Sequence, residues 1–160
     1  MLVKPSLVVA DITTLDLEVL RKRGIKGIIF DLDNTIVAPK AIVPEERISA
    51  WLAMLQQEGF RLIVLSNNKK YDYCQQSEKA LGIPVIACAA KPRRKAFRKA
   101  LDMIGLTATE VAMIGDRPLT DIWVGQRMGA FTILVDPLMK EHEHKYIKWL
   151  RRLEMVFLRH

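Results

Sequence analysis

Five short runs of almost continuous apolar residues constrain the fold of this chain more than any other feature of its sequence. The runs lie at residues 27–31, 61–65, 84–88, 111–115 and 131–135. Strands this apolar are typical of a parallel sheet that is buried on both faces. We therefore expect an α/β protein with about five strands and flanking helices.

Helical spacing between these runs predicts helices over residues 44–58, 71–81, 92–104 and 119–128. Strands and helices therefore alternate, and such units build a doubly wound, mostly parallel, Rossmann-like sheet that binds ligands beyond the carboxyl ends of its strands. The 160 residues, 50% of them hydrophobic, suit a single domain over 1–160. We expect this domain to end in a basic amphipathic tail helix over 137–160.

Two pairs of acidic residues follow predicted strands. Asp31 and Asp33 come after the first strand, and Asp116 and Asp121 come after the fourth. One such acid is most simply explained as the cap of a turn, but that explanation weakens for a pair. Carboxylate oxygens at a strand end are also suitable ligands for Mg²⁺.

Polar residues of other types follow the second and third strands. Ser66 and Asn67 can hold phosphoryl oxygens near a helix N-terminus, although both residue types are also ordinary N-caps. Lys91 supplies a cation that can offset phosphate and carboxylate charge, although alone it would be an unremarkable surface lysine. Four successive strand ends thus supply an acid pair, a hydroxyl, a lysine and a second acid pair.

In this order, these elements resemble the motifs of haloacid dehalogenase-superfamily phosphatases: DxDxT, a Ser after the second strand, a Lys, and GDxxxxD. The resemblance covers about residues 25–136. It implies a Mg²⁺-dependent phosphatase in which Asp31 is the nucleophile and Asp33 the general acid and base. It further implies that Asp31, the Asp33 backbone carbonyl and Asp116 hold Mg²⁺, while Asp121 orients metal-bound water.

The same resemblance implies that Ser66, Asn67 and Lys91 bind the transferring phosphoryl group. Cap domains in this superfamily are inserted between the first and second motifs or between the second and third. Each of these intervals here is filled by one predicted helix and one predicted strand. We therefore expect a capless, type IIIA phosphatase with an open site that suits a bulky or surface-bound phosphate.

A narrower resemblance is to the phosphatidylglycerophosphatase-like branch, and it rests on residues 31–35, 90–92 and 115–117 with supporting positions near the N-terminus. It implies dephosphorylation of phosphatidylglycerophosphate to phosphatidylglycerol. The net charge of +7 implies attraction to nucleic acid, a lipid surface or a phosphorylated substrate, and its sign alone does not choose among them. With the open site and this resemblance, we expect an anionic phosphorylated lipid as substrate and peripheral contact with an anionic membrane. Basic residues cluster after Lys91 and in the tail: Arg93, Arg94, Lys95, Arg98, Lys99, Lys145, Lys148, Arg152 and Arg159.

Alternatives remain open at this point. The tail helix can instead pack on the sheet, and an open basic site also suits a phosphatase for phosphoprotein or nucleic-acid ends. A non-enzymatic nucleic-acid-binding domain is a weaker alternative, because it would leave the four acids unexplained and the basic platform lacks interleaved aromatic residues. The sequence shows no membrane-spanning run and no secretory signal, so we expect a cytoplasmic location with peripheral contact at the inner membrane face.

Overall fold

A six-stranded parallel sheet forms the centre of the computed structural model, which describes residues 3–139 and Arg152. Its strands are β1 Leu7–Val9, β2 Gly27–Phe30, β3 Arg61–Leu65, β4 Val85–Ile86, β5 Val111–Gly115 and β6 Phe131–Val135. They lie in the order β1-β6-β5-β2-β3-β4, and all neighbours pair in parallel. The predicted doubly wound α/β class is confirmed.

Helices connect the strands and cover both faces of the sheet. They are α1 Leu17–Lys22, α2 Glu46–Gln57, α3 Tyr71–Leu81, α4 Lys95–Ile104 and α5 Trp123–Met128. Side chains of β2 alternate between two apolar cores. Phe30 packs edge-on against Trp51 of α2, with 6.0 Å between ring centroids, whereas Ile29 belongs to the core around Phe97 of α4.

The sheet changes direction at β2, and this switch point determines where a ligand can bind. From β2 the chain proceeds through β3 and β4 to one edge, while β5 and β6 lie on the other side. Phe30 is in register with Val64 of β3 and with Ile114 of β5. The residues that follow these strands therefore meet above a crevice, which is where parallel sheets bind ligands.

The sheet has one strand more than the sequence predicts. β1 contains three residues and pairs only with β6, so its sequence offers little local signal without that distant partner. The predicted helix over 119–128 is a π-helical turn at Pro118–Ile122 followed by α5. In that turn the Ile122 N–H donates to the Arg117 carbonyl at 3.4 Å, five residues back.

The described connections between the site-bearing strands contain no cap domain. The chain between β2 and β3 folds only into a loop and α2, and the chain between β3 and β4 folds only into a loop and α3. No described helix is long and apolar enough to cross a membrane. The predicted tail helix over 137–160, with Lys145, Lys148 and Arg159, lies outside the described residues apart from 137–139 and Arg152.

Candidate active site

A buried lysine joins two of the predicted acids. The Lys91 ammonium lies 2.7 Å from Asp31 Oδ1 and 2.8 Å from Asp121 Oδ1, and it donates to the Leu65 carbonyl at 2.7 Å. The side chains of Lys91 and Asp121 are each 1% exposed, whereas that of Asp31 is 13% exposed. Asp31 is therefore the member of this buried ion cluster that an incoming molecule can reach.

A third acid completes a group of oxygen ligands. One carboxylate oxygen from each of Asp31, Asp116 and Asp121 lies within 4.8 Å of the others. The Thr35 hydroxyl donates to Asp116 Oδ1 at 3.2 Å, which fixes the orientation of that carboxylate. The three carboxylates carry more negative charge than the Lys91 ammonium can offset. Such a set of hard oxygen donors fits a divalent cation such as Mg²⁺.

Burial governs the protonation of this cluster. Burial, against the opposing effect of Lys91 and with a smaller contribution from the nearby Asp116 charge, raises the pKa of Asp31 to about 6. Burial also raises the pKa of Asp121, with the charge of Asp31 as the next cause. For Lys91, burial acts to lower the pKa, but Asp121 and Asp31 outweigh it and hold the pKa above its usual range. The ammonium therefore stays charged, and a further cation nearby would stabilise the charged form of the carboxylates.

The close approach of Asp121 depends on a glycine at the end of β5. A Cβ atom at Gly115 would lie 2.2 Å from Asp121 Oδ2, so only glycine leaves room for this carboxylate. The Arg117 N–H donates to the same oxygen at 3.1 Å. The Gly-Asp sequence at the end of β5 thus serves two purposes, because it supplies Asp116 and leaves room for Asp121 from the following turn.

Asp33 lies apart from the lysine cluster and is held by two other side chains. The Tyr73 hydroxyl lies 2.8 Å from Asp33 Oδ1, and the Asn68 amide donates to Asp33 Oδ2 at 3.4 Å. Burial and then the Asp33 carboxylate raise the pKa of Tyr73 well above its usual range, so this phenol keeps its proton. Asp33 itself is partly exposed, so its carboxylate is open to the crevice side of the sheet edge only in part.

The two polar residues after β3 support the site differently. The buried Ser66 hydroxyl accepts the Asn68 N–H at 3.1 Å and thereby shapes the loop after β3. The Asn67 side chain brackets Lys91, since its Oδ1 accepts the Lys91 N–H at 2.8 Å and its Nδ2 donates to the Lys91 carbonyl at 3.2 Å. Asn67 therefore positions the lysine through its side chain.

Comparison with known proteins identifies the family. Residues 1–139 match the family model for mitochondrial PGP phosphatase, where PGP is phosphatidylglycerophosphate. The chain belongs to this family. The resemblance to the phosphatidylglycerophosphatase-like branch, inferred from the sequence motifs, is thereby confirmed.

Individual relatives of this PGP phosphatase family member agree with the assignment. The chain is 36% identical to phosphatidylglycerophosphate phosphatase 1, chloroplastic/mitochondrial, of Arabidopsis thaliana, over 98% of this chain and 47% of that protein. The chain thus spans about half the length of that relative. It is 40% identical to the probable phosphatase YqeG of Bacillus subtilis, over 76% of this chain and 70% of that protein.

A solved structure confirms the fold of this family member. The cobalt-bound deoxy-D-mannose-octulosonate 8-phosphate phosphatase of Haemophilus influenzae matches with a TM-score of 0.56. The match covers 86% of this chain and 89% of that protein at 18% sequence identity. At this identity the likeness concerns the shared fold alone.

Three residues of the candidate site were given no role in the sequence analysis: Asn34, Thr35 and Tyr73. Asn34 has a left-handed φ of 66°, and its side chain accepts the Met139 N–H at 2.8 Å. Thr35 closes the DxDxT motif, whose spacing was a usable signal for its contact with Asp116. Tyr73 lies in the first turn of α3, which begins just after the loop that carries Ser66 and Asn67. Its position at the start of this helix was the sequence signal that could have placed it near the site.

Proposed function

We propose that this chain hydrolyses phosphomonoesters through an aspartyl-phosphate intermediate, and that it converts phosphatidylglycerophosphate to phosphatidylglycerol. The observation that carries the proposal is the exposure of Asp31 at the edge of an otherwise buried cluster. Its Oδ1 is bound by Lys91, so the carboxylate is held in one orientation with access from the crevice. A fixed, partly desolvated carboxylate is suited to attack phosphorus in line.

The reaction proceeds in two steps in this proposal. An Asp31 oxygen forms a bond to phosphorus while the bond from phosphorus to the leaving oxygen breaks, and Asp33 gives its proton to that oxygen. Asp33 then takes a proton from water, which attacks the acyl-phosphate and releases phosphate with Asp31 restored. Tyr73 and Asn68 hold Asp33 by its two oxygens, which is compatible with both roles.

Lys91, Ser66 and Asn67 bind the phosphoryl group in the proposed mechanism. Lys91 supplies charge from beneath Asp31, the Ser66 hydroxyl lies at the end of β3, and Asn67 contributes its backbone N–H while its side chain holds Lys91 in place. Asp31, Asp116 and the Asp33 backbone carbonyl would hold Mg²⁺, and Asp121 would orient a water bound to it; the ion would neutralise charge between nucleophile and phosphate.

The open, capless crevice supports a substrate whose phosphate is presented on a surface. Exposed cations occupy the loops and helix starts at the carboxyl edge of the sheet, and we call this set the basic rim: Lys40, Lys69, Lys70, Arg93, Arg94 and Lys95. Asn34 binds the backbone of Leu138 and Met139 beside the catalytic loop, and the basic C-terminal segment follows these residues in the sequence. We propose that the rim and this segment contact an anionic membrane at its inner, cytoplasmic face.

Phosphate release with Mg²⁺ tests the proposed activity. Phosphatidylglycerophosphate in vesicles is compared with a phosphoserine peptide and a 5′-phosphorylated oligonucleotide. We expect turnover of the lipid, loss of that turnover in Asp31→Asn, and full turnover in the matched control Asp102→Asn, which changes an exposed acid of α4. Preferred turnover of the peptide or oligonucleotide would contradict the lipid assignment and leave the Asp31 chemistry in place.

Sedimentation with anionic vesicles tests the membrane contact. Each basic residue near an anionic bilayer contributes about 1 kcal/mol, so reversing Lys69, Arg93 and Arg94 to Glu is expected to weaken vesicle binding by at least roughly 100-fold. The control reverses Lys22 and Lys79, which lie at the ends of α1 and α3 away from the rim. Equal binding by both variants would remove the basic rim from the proposal.

A further inference from the structure

A tyrosine outside the recognised motifs connects Asp33 to the loop that precedes α2. The Tyr73 phenol oxygen lies 2.8 Å from Asp33 Oδ1 and 2.7 Å from the Ala41 carbonyl oxygen. Asp33 follows β2, Ala41 lies in the loop at 38–43, and Tyr73 belongs to α3. Three separate segments of the chain therefore meet at one hydroxyl group.

We infer that Tyr73 is the positioning residue for the general acid and base, and that it holds the Asp33 carboxyl group towards the leaving oxygen of the substrate. This inference rests on the function proposed above, in which Asp33 protonates that oxygen. It assigns to Tyr73 no bond making or breaking. Its effect on the reaction is exerted through the orientation of Asp33.

The hydrogen-bonding capacity of a phenol suits this task. Asp33 must alternate between carboxylate and carboxyl forms during turnover, and a partner that holds it throughout must bond with both. A phenol donates to a carboxylate through its hydrogen and accepts from a carboxyl through its oxygen. The Asn68 amide, the other partner of Asp33, reaches Oδ2 only as a donor and at the longer distance of 3.4 Å.

The location of Tyr73 makes it a firm support. Its ring is partly buried and packs against the larger apolar core, which contains β2 and α2 residues. Its oxygen also lies 2.7 Å from the Ala41 carbonyl oxygen, which accepts the single phenol hydrogen when Asp33 is protonated and donates its own hydrogen to the phenol oxygen. A side chain whose ring is packed in this way has little freedom to turn, so it restricts the orientation of Asp33.

The exposed Tyr71 offers a matched control on the same helix. It is 64% exposed, whereas Tyr73 is partly buried, and it lies two positions earlier, on a different side of α3. Tyr73→Phe keeps the packed ring and removes the hydroxyl that meets Asp33 and Ala41. Tyr71→Phe makes the same chemical change away from Asp33.

Leaving-group dependence distinguishes a positioning role from a structural one. Proton donation accelerates expulsion of a poor leaving group, such as the alkoxide of phosphatidylglycerol, and adds little for p-nitrophenolate. The first chemical step is measured in single turnover as release of phosphatidylglycerol or p-nitrophenol. Since a positioned acid contributes roughly 10²–10⁴-fold, we expect Tyr73→Phe to slow the alkyl ester on the order of 10-fold or more and the aryl ester less than about 3-fold.

The controls separate the failure of this inference from the failure of the proposed function. Asp33→Asn is expected to show the same selective loss in larger measure, and Tyr71→Phe no loss. Equal slowing of both esters by Tyr73→Phe, or no slowing, would overturn the positioning role while Asp33→Asn remains selective. An unselective Asp33→Asn would instead overturn the acid assignment. If Tyr73→Phe does not fold, as judged by thermal melting, Tyr73→Leu is measured instead; it also lacks the hydroxyl, so the same selective slowing of the alkyl ester is expected.

Discussion

Replacement of Lys91 by methionine tests the electrostatic organisation of the site. Methionine retains the length and apolar stem of lysine, so the substitution removes the ammonium with little change in packing. The lost contacts are the two ion pairs with Asp31 and Asp121 and the bond to the Leu65 carbonyl. Two carboxylates, one of them 1% exposed, then lack their cation.

The expected penalty is large because a stranded buried charge costs more than a surface ion pair contributes. Removing one partner of a buried pair costs roughly 3–5 kcal/mol of unfolding free energy. We expect about 4 kcal/mol for Lys91→Met at pH 8, measured by urea unfolding in EDTA. The matched control Lys95→Met, at an exposed position that begins α4, should stay within about 0.5 kcal/mol of wild type.

The pH dependence of this penalty identifies its cause. In the native chain the pKa of Asp31 is about 6 and that of Asp121 is also raised by burial, and loss of Lys91 raises both further. At pH 5 the stranded carboxylates take up protons, so the penalty should fall to less than about half its value at pH 8. The double variant with Asp121→Asn should recover stability at pH 8. A penalty under about 1 kcal/mol at pH 8, or one equal at both pH values, would refute this reasoning.

Three further predictions concern the metal, Gly115 and Asn34. Because the native pKa of Asp31 is about 6 and its unfolded value 3.8, its contribution to metal-free stability is present below pH 4 and is lost as pH rises through 6, a change of about 3 kcal/mol. Mg²⁺ should therefore raise the unfolding free energy more at pH 7.5 than at pH 5, and equal gains would contradict its binding at Asp31. Gly115→Ala should lower the free energy of unfolding in urea by about 3 kcal/mol and the turnover rate at least 10-fold, because the added Cβ displaces Asp121. Unchanged values would mean that the turn at Asp121 can shift to make room for the Cβ. Asn34→Gly keeps the left-handed backbone and removes the side-chain bond, so faster hydrogen exchange at the Met139 amide is expected, and unchanged exchange would mean that another contact holds it.

The principal residues of the site were predictable because they share one physical rule. Residues that follow parallel strands meet at one edge of the sheet, so Asp31, Asp116 and Lys91 could be brought together from their positions after apolar runs. The resemblance to the superfamily, together with the spacing between the motifs, also indicated the capless connections. The structure then brings these residues together as the rule requires, with the Lys91 ammonium 2.7 Å from Asp31.

The remaining contacts depend on partners that are distant in sequence. Asn34 meets Met139 across 105 positions, and Tyr73 meets Asp33 across 40, so no local pattern reveals either pair. Asn67 was predicted as a phosphate ligand, but the bonds of its side chain to the Lys91 backbone could not be read from residue type. The strand at Leu7–Val9 was missed for a related reason, since its pairing with β6 joins the two ends of the described fold.

Trapping of the acyl-phosphate tests the proposed nucleophile most directly. The chain is mixed with phosphatidylglycerophosphate and Mg²⁺, quenched in acid during turnover, reduced with borohydride and digested for mass spectrometry. Borohydride converts an aspartyl-phosphate to homoserine and leaves free carboxylates unchanged. We predict homoserine at position 31 that depends on the presence of substrate and is lost in Asp31→Asn. Turnover without reduction at position 31, or with reduction at another acid, would contradict the assignment of Asp31.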